Sequence, residues 1–93
     1  MDEKLKSVLL RCTRVYISTK NWDRAVTEYD TLYRDFPDDP LIIEPLAKAN
    51  YEKGNKMIAK DLYEKVMRIY GEKGDMLKAE RIKADIARMF PAG

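Results

Sequence analysis

The chain has 93 residues, of which 45% are apolar and 37% charged, with 18 basic and 16 acidic side chains. That is room for one domain with a modest core, and too apolar for a disordered chain. A net charge of +2 is too balanced to argue for a nucleic-acid or membrane partner. A single cysteine excludes an internal disulfide and fits a reducing compartment. The start, Met1-Asp2-Glu3-Lys4, lacks the apolar stretch of a signal peptide, and no run approaches the ~20 apolar residues that span a bilayer. A cytoplasmic location is expected.

Leu5, Val8, Leu9, Cys12, Val15 and Tyr16 recur at three- and four-residue steps and predict a first helix over Glu3–Ser18 with that stripe in the core. On this reading Cys12 is a buried thiol. Asn21 is suited to cap a second helix, because its side-chain oxygen can accept a free backbone N–H of the first turn. Trp22, Ala25, Val26, Tyr29, Leu32, Tyr33 and Phe36 carry the helix to Phe36-Pro37, where the proline ends it. Trp22 is expected to cover the turn.

Asp39-Pro40 predicts a third helix start, with Asp as cap and Pro in the first turn. Pro45 has no N–H to give, so a short distorted turn from Pro40 and regular helix from Glu44 to Lys53 are expected. Ile42, Ile43, Leu46, Ala47, Ala49 and Asn50 form its buried side. Gly54-Asn55 makes a tight turn with a left-handed glycine. A fourth helix runs to about Tyr70 on Ile58, Ala59, Leu62, Tyr63, Val66, Ile69 and Tyr70. After the Gly71–Asp75 break, a fifth spans Met76–Met89 with Ala79, Ile82, Ile86, Met89 and Phe90 on one side. No segment reads as a strand. The prediction is an all-α stack of helix hairpins.

Two stretches match at a spacing of 34 residues. Leu9, Cys12, Thr13, Tyr16, Asn21, Ala25, Tyr29 and Leu32 pair with Ile43, Leu46, Ala47, Asn50, Asn55, Ala59, Tyr63 and Val66. Such a period in helical segments is the mark of stacked hairpins, each of which needs a neighbour to cover its apolar face. Thr13, Ala25, Ala47 and Ala59 are small where helices cross, and Tyr16, Tyr29 and Tyr63 fill the grooves beside them.

These residues resemble the tetratricopeptide repeat family, whose 34-residue motif is W-x2-L-G-x2-Y…A-x3-F…P. Leu9-x2-Cys12-Thr13-x2-Tyr16, Ala25-x3-Tyr29 and Pro37 follow it in one repeat, and Ile43-x2-Leu46-Ala47 with Ala59-x3-Tyr63 in the next. Thr13 and Ala47 replace the motif glycine, Asn50 the second tyrosine, and Gly71 the closing proline. The resemblance implies one domain over residues 1–93, a right-handed α-solenoid with repeats at about 6–39 and 40–73 and a capping helix at about 75–90. Glu80, Arg81, Lys83, Asp85 and Arg88 give that last helix the polar outer face of a cap.

By the same resemblance, the first helix of each pair lines a concave face that binds a peptide or partner helix. The matching positions are Ser7, Leu10, Arg14, Ile17 and Ser18, then Leu41, Glu44, Lys48, Tyr51 and Glu52. Leu10 and Ile17 fall outside the main stripe, which independently suggests a second contact surface. The expected role is a protein-interaction adaptor, with Arg14 and Lys48 setting charge preference. Only those two match the Lys/Asn/Arg set with which some family members hold a C-terminal carboxylate. The alternatives are a self-associating or structural segment and, more remotely, nucleic-acid binding through a mildly basic last third. Enzymatic, metal and cofactor chemistry are not expected. The chain has no His, its acids are scattered over wet faces, and its glycines sit at helix turns rather than in a phosphate loop.

Overall fold

A computed structural model describes residues 3–91. Five helices follow one another: α1 (Glu3–Ser18), α2 (Trp22–Asp35), α3 (Pro40–Lys53), α4 (Lys56–Glu72) and α5 (Met76–Met89). No strand occurs among the described residues. Each helix packs on the next, and α3 and α4 are the most enclosed. The core runs through Ala25, Tyr29, Leu32, Ile42, Ile43, Leu46, Val66 and Ile82. Thr13, Ala25, Ala47 and Ala59 are all buried, as small residues at helix crossings should be.

Three of the four connections use one corner. A left-handed residue stands one or two places past the helix end, at Lys20 (φ 58°), Gly54 (φ 93°) and Gly74 (φ 79°). The N–H groups of these residues bond to the carbonyls of Ile17, Tyr51 and Gly71, each at 3.1 Å. Asn21, Asn55 and Asp75 then donate to the carbonyls of Tyr16, Asn50 and Tyr70, five residues back, at 2.8–2.9 Å. This pair of bonds satisfies carbonyls that a helix end leaves open. The same three residues begin the next helix, their carbonyls accepting from the buried Ala25, Ala59 and Ala79 at 3.0 Å. Asn21 and Asp75 also cap with their side chains, whereas the Asn55 amide donates to Asn50 Oδ1 instead.

Only the first corner places a side chain in the left-handed region, where an L-residue costs ~1–2 kcal/mol. Replacing Lys20 with Gly should raise the urea-unfolding free energy by ~0.5–1 kcal/mol. Gly54→Ala and Gly74→Ala should lower it by ~1–2 kcal/mol. A methyl group at either glycine meets no atom within 4 Å, so this loss is purely backbone strain.

The α2–α3 connection is different. Phe36 folds back on the end of α2, and Asp39 caps α3 through Leu41 N–H at 3.0 Å. The other Asp39 oxygen pairs with the Lys6 ammonium, which also lies 4.6 Å from the Phe36 ring centroid. This tether joins α1 to the start of α3. The hydrogen bond to Asp39 raises the Lys6 pKa against the opposing effect of burial.

Three expectations are corrected. The α1 core stripe was mis-phased: Leu10 and Thr13 are buried, while Leu5, Val8, Cys12 and Val15 are exposed. Apolar residues spread over a wide arc of α1, but the core reaches only the part facing α2 and α3. Cys12 is therefore not a buried thiol. Helix α3 is continuous from Pro40, because Pro45 lies close enough to its start to remove only one helical bond. Ile58, expected on the buried side of α4, is exposed in its first turn.

Candidate functional site

Successive exposed turns of α1 and the first turns of α3 form two adjoining hollows. The first, about 330 Å³, is lined by Ser7, Leu10, Arg11 and Arg14 with Leu41 opposite. The second, about 300 Å³, is lined by Pro40, Leu41, Glu44, Pro45 and Lys48. Leu41 belongs to both and is 60% exposed, so its side chain is open to contact from outside. The start of α3 fixes it there. Asp39 caps the Leu41 N–H, and Pro40 and Pro45 bracket the turn.

Six of the eight principal positions named by the repeat resemblance thus meet: Ser7, Leu10, Arg14, Leu41, Glu44 and Lys48. Leu10 contributes as a buried floor rather than a free contact. Ile17 does not join them; it is half-buried against the core. Tyr51 is claimed by the end of α5. Its ring meets Phe90 edge-on at 5.4 Å, its hydroxyl donates to the Met89 carbonyl at 3.5 Å, and the Lys56 ammonium lies 3.8 Å from its centroid. Ser18 and Glu52 are exposed and line neither hollow.

The site is cationic. Arg81 donates to both oxygens of Glu44, at 3.1 and 3.4 Å, and neutralises the one acid in the lining. Arg11, Arg14 and Lys48 make no ion pair among the described residues. A Leu ridge flanked by three unpaired cations suits an extended segment with an apolar side chain and neighbouring carboxylates. Sequence reasoning missed Arg11, Pro40 and Pro45. Arg11 was accessible to it, being one turn before Arg14 on the same face.

A larger hollow, about 570 Å³, lies between α4 and α5 over Met67, Gly71, Met76 and Ala79. Its charged rim is mixed, Glu64 and Glu80 against Arg68 and Lys83, and so favours neither sign. No described helix is long and apolar enough to cross a membrane. No family model, curated protein or solved structure matches the chain.

Proposed function

We propose that the chain is a tetratricopeptide-type adaptor without catalytic activity or cofactor. It holds an acidic segment of another protein in the paired hollows of α1 and α3, and works in the cytoplasm. The observation that carries this reading is the convergence of Ser7, Leu10, Arg14, Leu41, Glu44 and Lys48 on one strip of surface. The 34-residue period supports the solenoid assignment, with α5 as its cap. Binding would use a preformed groove, so little ordering entropy opposes it. Arg14 and Lys48 set the charge preference and steer the encounter; Leu41 supplies the apolar contact.

The test is a quantitative pull-down with the parent, an Arg14→Glu/Lys48→Glu variant and an Arg34→Glu/Lys60→Glu control. The control makes the same charge change on exposed residues of α2 and α4. The expected result is that specific partners fall at least ~10-fold with the groove variant, the equivalent of ~1.4 kcal/mol, and survive in the control. Retention of every partner by the groove variant rules out the hollows as the site.

A self-associating or structural role is the second reading, favoured by the exposed apolar residues of α1. A mass that stays monomeric across a dilution series removes self-association.

A further inference from the structure

The internal repeat allows α1 to be compared with its own counterpart. Moving 34 residues along the chain carries Val8, Cys12 and Val15 of α1 onto Ile42, Leu46 and Ala49 of α3. In α3 these three are 0%, 1% and 0% exposed. In α1, Val8 is 46% and Val15 55% exposed, and Cys12 is open as well. Each helix is followed by its hairpin partner, α2 for α1 and α4 for α3. Helix α3 also packs on the helix before it, α2, and among the described residues no helix takes that place on α1. The Val8–Cys12–Val15 face is therefore matched to a helix.

Charge selects the kind of helix. Lys4 and Arg11 border the face, at helical neighbours of Val8 and Val15, and neither is ion-paired among the described residues. Glu3 is held by Lys6 at 3.7 Å. A second copy docking through its own α1 would set these cations against each other, in either orientation. Helix α2, which fills the corresponding place on α3, carries Asp23, Glu28, Asp30 and Asp35 against Arg24 and Arg34.

We infer that the Val8–Cys12–Val15 face of α1 is a second docking site, sharing only Arg11 with the α1–α3 hollows, for an amphipathic helix with an acidic border supplied by another protein. The occupant lies along α1 as α2 lies along α3 and buries Val8 and Val15.

The probe is a fluorescent synthetic peptide of residues 21–36, the chain's own α2, titrated into the intact protein and followed by anisotropy. Saturable binding is expected, weakening as salt rises. Val8→Asp/Val15→Asp should weaken it at least ~10-fold, the loss expected when two partly buried valines no longer contribute. The milder Val8→Ser/Val15→Ser variant guards against unfolding and should also weaken it, with unchanged far-ultraviolet circular dichroism. Arg11→Glu should weaken binding and reduce its salt dependence. Arg14→Glu/Lys48→Glu should leave it unaltered, which separates this face from the hollows. No saturable binding, or equal binding by the Val8/Val15 variants, overturns the inference. So does a parent dimer that Val8→Asp/Val15→Asp dissolves, since a second copy would then own the face.

Discussion

Leu46→Ala is expected to cost about 2–5 kcal/mol, whereas Cys12→Ala, at the matching position of the first repeat, should change stability by less than ~0.5 kcal/mol. Leu46 is enclosed on α3, and truncation leaves a cavity that close-packed neighbours cannot fill. Cys12 is exposed, and its removal leaves nothing to fill. Urea unfolding followed by circular dichroism reads both variants. In a domain whose total stability is of order 5–15 kcal/mol, Leu46→Ala should move the midpoint far or abolish the folded baseline. Equal costs at the two positions would mean that α1 is packed as α3 is, and that its outer face is already covered.

The contrast also shows what the amino-acid pattern specifies and what it leaves open. Helix existence and most helix limits follow from local chemistry. Asn21, Asp39 and Asp75 cap what they precede, Gly54 and Gly74 end what they follow, and α1 and α5 begin and end where periodicity puts them. The rotation of α1 about its own axis is not local. Leu5, Val8, Leu9, Leu10, Cys12, Val15, Tyr16 and Ile17 cover so much of its circumference that several stripes can be drawn. Only the positions of α2 and α3 decide between them. The spacing identified Leu10 and Ile17 as a separate group but assigned them outward, because a stripe carries no sign for inside.

The same division applies to the site. Ser7, Arg14, Leu41, Glu44 and Lys48 come together because α1 lies beside the start of α3; the 34-residue spacing of the pattern named these positions but carries no contact by itself. Tyr51 was lost to a contact with Met89, 38 residues away, made by a helix that breaks the period. The Gly54 corner recurs at Gly74 after only 20 residues, so α5 arrives one helix early and its end closes over Tyr51 and Tyr63. The irregular spacing was visible in the sequence; the side chains it would cover were not.

That closure sets the strongest expected pH effect. Tyr63 is only 6% exposed, and its ring lies 6.3 Å from Phe90. Burial raises its pKa far above the ordinary 10.0; the carboxylates of Glu44, Asp85 and Glu52 push the same way, against Arg88. The folded chain therefore keeps this phenol proton at a pH where the unfolded chain has released it. Stability from Tyr63 is fully present below pH 10 and is lost as pH rises toward the folded pKa, by at most about 1.4 kcal/mol per unit. Tyr70, raised mainly by burial, and Lys6, raised mainly by Asp39, drain stability in the same alkaline direction. Tyr63→Phe carries no proton to lose. Its unfolding free energy should stay close to that of the parent at pH 8, and above pH 10 it should fall with a slope smaller by about one proton. Urea titrations at several values from pH 8 to about pH 12 measure the difference. Parallel curves for the two proteins would mean that the Tyr63 hydroxyl ionises alike in both states. The α5 end would then not seal it from water, and the cap assigned to this helix would be open.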